Sequence, residues 1–499
     1  MWTISSLKPL ELGKPNCYKI NGLGKLLDIK FGTDGWRGII ADDFTFANVR
    51  RCAQAVCRHI QAKGIINPKI FVGYDTRFLS EDFSKAVAEV ICGNNIKCLL
   101  SSTPVPTPVV SHNVLSNKAD GGIVITASHN PPQWNGFKYK PEYAGSASPE
   151  IVSDIEYHLS QISSIDSVNS IPFKKAIAQG ICEVVDATST YNAHLRTMVD
   201  IESIRSSGIN IIIDPMYGAG AGYLSSLLSG SSIGLQEIHG SRNPIFPGMS
   251  QPEPVKHNLN ELSDAVLKHK ANVGLALDAD ADRFGLIDNN GQFVTPLEVF
   301  ALLALYFLDN KRERGTIVKS RTTTNMIYTL GKLYGVPIVE TPVGFKYIGP
   351  MMMQENALMG GEESGGFAFR GHIPERDGIL SALFVLEMIN KTGRTIPELL
   401  EKLFDLVGPH YYKRTDVSFS NEERADMEKR LDAISIDTLA GATISQKDDI
   451  DGTRFILTDG SWAIIRFSGT EPLMRIYAES QSEESVDKLI SECRNLMGV

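Results

Sequence analysis

Short apolar runs recur along the chain, each followed by a stretch whose apolar residues return every three or four positions. Residues 69–75 (KIFVGYD) form such a run and suit a buried strand. Ser80 then reads as a helix N-cap, Phe83, Val87 and Val90 repeat at helical spacing, Gly93 closes the helix, and IKCLL restarts a strand. The pattern returns at Asn210–Asp214 (NIIID), at Val273–Leu277, and at 315–319 (GTIVK) with 336–339 beyond. Strands alternating with helices predict α/β units on mostly parallel sheets covered on both faces. After Gly408-Pro409 the pattern changes to a polar helix over 422–431, two strands joined by Asp459-Gly460, and a last amphipathic helix with Val486, Leu489 and Ile490. That is an α+β module. Residues 1–29 carry few periodic signals and read as an N-terminal extension.

Length and charge narrow the picture. A chain of 499 residues exceeds what one core supports. The breaks divide it into the extension at 1–29, α/β domains at 30–172, 173–291 and 292–406, and the α+β domain at 407–499. A net charge of −9 argues against a nucleic-acid partner, so any anionic substrate needs a local concentration of Arg and Lys. The start of the chain has no apolar leader, and no stretch approaches the roughly 20 apolar residues of a membrane span. The seven cysteines are scattered without a CxxC pair, which points to a reduced cytoplasmic protein without a disulfide framework or zinc site.

Five segments carry candidate chemistry. GGIVITASHNPP (121–132) sets Ser128 and His129 just beyond an apolar strand, at the sheet edge where ligands of open α/β sheets bind, with Lys138 further along. Alone, adjacent Ser and His are more often an ordinary loop than a nucleophile and base. LDADADR follows a second strand; in extended backbone Asp278, Asp280 and Asp282 share one side, where a hard cation such as Mg²⁺ or Ca²⁺ relieves their repulsion. Arg283 beside them suits a phosphate. GGEESGG (360–366) offers acceptors for hydroxyls on a flexible, glycine-rich loop, or is a polar surface turn. RFSGTEPLMR (466–475) presents Arg466, Ser468, Gly469, Thr470 and Arg475 as a phosphate cradle, with a structural hairpin as the alternative. FGTDGWRG (31–38) adds Arg37. The G-A-G-A-G at 218–222 lacks the last glycine of a dinucleotide loop and reads as a tight strand–helix junction.

These motifs together, in this order, resemble the α-D-phosphohexomutase superfamily from about residue 31 to the C-terminus. The resemblance implies three mixed α/β domains of similar topology and a C-terminal α+β domain around a central cleft, each giving one loop. It implies a phosphoserine at Ser128, and Mg²⁺ held by Asp278, Asp280, Asp282 and a phosphoserine oxygen. Arg37 and Arg283 flank that group, and Lys138 or His129 moves protons. Glu362 and Ser364 grip sugar hydroxyls, with Thr341 and Gly344 in an orienting loop (TPVGFKY). Arg466, Ser468, Gly469, Thr470 and Arg475 hold the phosphate that is not reacting. A hexose 1,6-bisphosphate would prime the serine, and water would be excluded by closure of the last domain at Gly408-Pro409. The implied partners are small sugar phosphates, with the protein a monomer or small homo-oligomer.

The chain departs from the family pattern in two places. Ala279 and Ala281 stand where the family's metal loop usually has glycine, which predicts a slightly reshaped loop. Arg376, in HIPERDG, stands where lysine is frequent and is a poor proton donor or acceptor. Glu363 and Gly366 resemble phosphoglucomutase-like members and favour glucose phosphate, with mannose phosphate as the alternative. A glucose-1,6-bisphosphate synthase would share every motif; a metal-dependent phosphatase and a non-catalytic binding protein are the other readings.

Overall fold

A computed structural model describes residues 28–32, 34–230, 232–420, 422–468 and 473–499; residues 1–27 of the expected extension, with Gly469 and Thr470 of the expected cradle, lie outside the described residues. The first sheet runs, in spatial order, Trp36–Ile39, Trp134–Pro141, Gly121–Ile125, Lys69–Tyr74, Lys97–Ser101, Cys182–Val185. Its last four strands are parallel and its first two pair antiparallel. The second sheet runs Phe293–Val294, Phe284–Ile287, Val273–Leu277, Asn210–Asp214, Gly234–Glu237, and the third Ile338–Thr341, Ile317–Ser320, Met359–Gly361, Phe367–Phe369. Both mix parallel and antiparallel pairs. The C-terminal sheet is wholly antiparallel.

The first three sheets are therefore parallel for the most part, as the strand–helix alternation predicts, and mixed through antiparallel strands at one edge. The first and third carry one antiparallel hairpin and the second carries two, and such a hairpin needs only a short link and leaves no periodic signature of its own. Two expected boundaries also move. Cys182–Val185 hydrogen-bonds to Lys97–Ser101, so a division at 172/173 cuts through the first sheet. Phe293–Val294 pairs with Phe284–Ile287, carrying the second sheet past residue 291. The three units share one continuous core, with Val109, Leu275 and Phe384 in the same cluster, whereas the C-terminal unit has its own.

Local chemistry sets the element ends. Helix Ser80–Gly93 begins after Leu79 in a left-handed conformation (φ 60°), and Ser80 is not its cap. Its hydroxyl donates instead to Asp75 at 2.7 Å. At Gly93 a Cβ would lie 2.5 Å from Cα of Ser170, so the close approach of that segment requires glycine. Helix Ile396–Val407 stops at Gly408, whose φ of 83° ends it. The seam between the third and C-terminal units is polar: buried Glu479 accepts from the Thr324 hydroxyl (2.5 Å) and the Asn325 N–H (2.8 Å), and Arg454 pairs with Glu340 at 2.8 Å.

One topological position recurs. Loop 126–133 joins Gly121–Ile125 to its antiparallel neighbour Trp134–Pro141, and 278–283 joins Val273–Leu277 to Phe284–Ile287. Loop 362–366 joins Met359–Gly361 to Phe367–Phe369, and 468–472 joins Trp462–Phe467 to Leu473–Ser480. All four motif loops are hairpin links. Among the described residues no helix is long and apolar enough to cross a membrane.

Candidate active site

Ser128 adopts a left-handed backbone (φ 51°) and is 1% exposed. An L-residue there costs about 1–2 kcal/mol, and such strain persists only where surrounding contacts hold it. Its N–H donates to the Thr126 hydroxyl at 2.9 Å, and its own hydroxyl donates to Asp278 Oδ2 at 3.1 Å, 3.3 Å from His129 Nδ1. The two loops of the first and second units thus meet at the serine. Burial, reinforced by the charges of Arg283, Arg37, Arg475 and Lys138, holds His129 well below the usual histidine range and therefore neutral.

Asp278, Asp280 and Asp282 are completely buried, with one carboxylate oxygen from each within 4.8 Å of the others. The loop is a turn rather than extended: the Ala281 N–H donates to the Asp278 carbonyl at 2.9 Å, and Ala281 takes φ 53°. The alanine is accommodated in the strained region, so the convergence of carboxylates comes from the turn. The G-A-G-A-G segment lies beneath it. A Cβ at Gly218 would sit 2.6 Å from Ala279 backbone, and the Ala219 N–H donates to the Ala279 carbonyl at 2.7 Å. Thr107, from the first unit, donates to Asp280 Oδ2 at 2.6 Å.

Cations close around these acids. Lys138 Nζ lies 2.8 Å from Asp280, 2.8 Å from Asp34 and 3.3 Å from Asp282. Burial opposes its charge, but the three carboxylates outweigh that and raise its pKa, so it is firmly an ammonium. Burial likewise opposes the charge of Asp280, yet Lys138 and Thr107 hold its pKa down. Asp278 accepts the Arg283 N–H at 3.0 Å, but burial and the charges of Asp280 and Asp282 outweigh Arg283 and push it well above the usual carboxylate range. Arg376 reaches Asp282 and Asp34 at 2.8 Å each and Glu362 at 3.5 Å. Lys140, fully buried, joins Asp34 (3.1 Å) to Glu375 (2.6 Å). Asp280 Oδ1 and Asp282 Oδ1 keep no hydrogen-bond partner, a donor set of hard oxygens suited to a divalent cation.

GEESGG is a tight turn, not a flexible loop: the Glu362 N–H donates to the Gly366 carbonyl at 3.0 Å and Gly365 takes φ 85°. Burial pushes the Glu362 carboxyl up to about 7, against the pull of Arg376, so it can accept or donate a hydrogen bond near neutrality. Glu363 accepts from the Thr322 hydroxyl at 2.6 Å, while Ser364 Oγ is buried with no hydrogen-bond partner. A Cβ at Gly366 would lie 2.2 Å from Arg376 Cδ, so the arginine fills the space a larger residue would use.

Arg466 pairs with Asp451 at 2.8 Å, and Asp451 also accepts the Val343 N–H at 2.8 Å, tying the candidate phosphate loop to the loop at 341–347. Thr341 is buried with its hydroxyl on the Pro342 carbonyl, and Gly344 (φ 126°) begins helix Phe345–Glu355 at the cavity wall. Ser468 is 3% exposed and its N–H donates to the Leu473 carbonyl. Arg475 lies 3.6 Å from Asp416, which Arg414 holds with two contacts of 2.6–2.7 Å. Arg37 donates to Asn130 (2.5 Å) and Arg283 pairs with Glu253 (2.5 Å). All four units line one cavity of about 450 Å³, with Arg37, Arg283, Glu362 and Arg466 among its walls.

Comparison with known proteins decides the family. Models described as phosphoglucomutase/phosphomannomutase alpha/beta/alpha domains I, II and III match residues 28–166, 189–291 and 295–407, and the C-terminal domain model matches 420–496. The chain belongs to the phosphoglucomutase/phosphomannomutase family. It is 30% identical to a phosphoglucomutase/phosphomannomutase of Thermococcus kodakarensis, over 93% of this chain and 96% of that one. It is also 30% identical to a phosphoglucosamine/phosphogalactosamine mutase of Sulfurisphaera tokodaii, covering 95% and 99%. A crystal structure assigned as a phosphomannomutase, from Thermus thermophilus, superposes with a TM-score of 0.83 at 34% identity, covering 95% and 100%. This phosphohexomutase-family chain is an intramolecular phosphotransferase. Its relatives differ in the sugar they are named for.

Several residues at the centre of this phosphohexomutase site escaped the sequence reading. Asp34, Lys140 and Glu375 form a buried relay behind Lys138, and Arg77 lies beneath the Ser128 loop. Lys138 and Lys140, two apart in an otherwise apolar strand, were the available signal. A lysine pair on one buried strand face requires acidic partners.

Proposed function

We propose that this enzyme interconverts hexose 1-phosphate and hexose 6-phosphate through a phosphoserine at Ser128 and a hexose 1,6-bisphosphate intermediate. Glucose phosphate is the preferred substrate and mannose phosphate a second one. The observation that carries the reading is the Ser128 hydroxyl, buried 3.1 Å from a carboxylate of the three-aspartate cluster beside a cavity lined with arginine. Phosphoryl transfer asks the protein mainly for positioning and charge neutralisation, and that arrangement supplies both. Mg²⁺ held by Asp278, Asp280 and Asp282 would neutralise the phosphoryl oxygens. Arg37 and Arg283 would flank the group. Neutral His129 would accept the proton of the attacking sugar hydroxyl, while Lys138 stays charged. Ser364 and Glu362 would bond sugar hydroxyls, and Arg466, Ser468, Gly469, Thr470 and Arg475 the distant phosphate. The resemblance of Glu363 and Gly366 to phosphoglucomutase-like members supports the glucose preference, and Arg376 packs where a side chain at 366 would stand.

A coupled assay on glucose, mannose and glucosamine 1-phosphates tests this. The highest kcat/KM is expected for glucose 1-phosphate; a higher value for glucosamine 1-phosphate would overturn the sugar preference. Accumulation of bisphosphate without isomerisation would overturn the mutase reading. The clamp is tested separately. Arg466→Ala should raise KM for glucose 1-phosphate and lower kcat/KM about 10²-fold, roughly 3 kcal/mol for a charge-assisted contact. Ser128 should still be phosphorylated by a small donor with a single phosphate; loss of that too would place this loop at the reacting centre.

A further inference from the structure

The backbone carbonyls of the Ser128 loop converge on one buried cation. Arg77 is completely buried and donates from Nη2 to the carbonyls of Ser128 and Asn130, both at 2.5 Å. Its Nη1 donates to the carbonyls of Pro131 (2.9 Å) and Trp134 (3.1 Å). Asp75, 3.3 Å from Nε, balances its charge, and the Phe246 ring covers one face of the guanidinium at 5.0 Å. The segment bearing Arg77 is itself pinned by the second unit: Arg242 donates to the carbonyls of Thr76 (2.9 Å) and Arg77 (3.2 Å), and the Thr76 hydroxyl donates to the Tyr217 carbonyl (2.9 Å).

These contacts account for a conformation the loop would not otherwise hold. Ser128 is in the left-handed region, where a side chain crowds its own backbone. The orientation of its carbonyl fixes ψ, and with φ this fixes the direction of the Cα–Cβ bond. By holding the carbonyls of Ser128 and Asn130 on one nitrogen, Arg77 turns the Ser128 hydroxyl toward Asp278. No other residue type does this. A planar guanidinium presents donors along two edges at once, whereas an ammonium cannot span four separated carbonyls.

We propose that Arg77 is the positioning residue of the nucleophile: it holds Ser128 in its strained conformation and so aims the hydroxyl at the metal cluster. Arg77 is not among the residues that line the cavity, so it acts through the Ser128 loop. The proposal rests on the reading of Ser128 as phosphoryl carrier.

Two variants test it. Arg77→Lys keeps charge and most of the volume; Arg77→Ala opens a cavity that free guanidinium can enter. Both should bind Mg²⁺ and sugar phosphate with little change in KM, while kcat falls about 10²-fold, the loss expected when a reacting atom is misplaced by about 1 Å. The ³¹P resonance of the phosphoserine should shift in Arg77→Lys, reporting a turned side chain. Millimolar guanidinium chloride should restore part of kcat to Arg77→Ala, and equimolar sodium chloride should not. Wild-type turnover by Arg77→Lys, or absence of guanidinium rescue in a folded Arg77→Ala, would overturn the proposal. So would failure of both variants to fold, which would assign Arg77 to the fold alone. If the parent carries no phosphoserine, the reading of Ser128 fails instead, and the two failures are told apart by that one measurement.

Discussion

Ser128→Ala is expected to yield a folded protein that never carries a phosphoryl group. Intact-mass spectrometry of the parent should show a species about 80 Da heavier, and the variant should lack it. Mutase activity should fall by about 10⁴-fold or more, since removing a nucleophile leaves only binding and electrostatics. The structure makes the substitution mild for the fold. The Ser128 N–H bond to Thr126 and the carbonyl bond to Arg77 are both made by backbone and survive it, and alanine tolerates the left-handed conformation here as Ala281 does nearby. A phosphorylated peptide persisting elsewhere in the variant would move the nucleophile.

Exhaustive chelation with EDTA should silence the enzyme, and added Mg²⁺ should restore it. Three buried carboxylates approach within 4.8 Å, and the phosphoserine would add nearly two further negative charges beside them. Like charges about 4 Å apart repel by about 4 kcal/mol even at an effective dielectric of about 20. Lys138 and Arg376 offset part of this, but both are already shared with Asp34. Loss of the ion should therefore lower kcat by about 10³-fold or more, while Ser128→Ala should still bind Mg²⁺ by isothermal titration. Full activity after chelation would remove the metal from the reaction.

The motif loops were legible because each packs its chemistry into consecutive residues. Ser128, the three aspartates and Arg466 stood out as candidates from local spacing, each with an ordinary structural alternative until their joint order was considered, and alternating strands and helices correctly indicated several α/β units. What was not legible depends on residues far apart in the chain. Asp34 meets Lys140 only once the first sheet is closed, and Arg376 only once the first and third units are assembled, and a lone aspartate in FGTDGWRG gives no hint of either. Arg77 looks like any charged residue after a strand; its four carbonyl partners lie more than fifty residues away. The parallel core of each sheet was legible, but its antiparallel edge strands were not, since an apolar run of five residues reads the same whether its neighbour is parallel or antiparallel. The conformation at Ala281 went against its residue type, because the Gly218 segment holds the turn from outside.

Three of the motif loops, 126–133, 278–283 and 362–366, are short links between strands that are hydrogen-bonded to each other, and this has a mechanical consequence. A link tied at both ends to the same sheet has little freedom to flex, so its side chains move chiefly when the whole sheet moves. The cleft is then adjusted by the orientation of rigid bodies rather than by reshaping loops. The C-terminal sheet has its own core, meets the third unit across a polar seam and follows a helix that ends at Gly408. Arg466 and Arg475 face each other on neighbouring strands of that sheet, so any rotation of the sheet would carry both cations together.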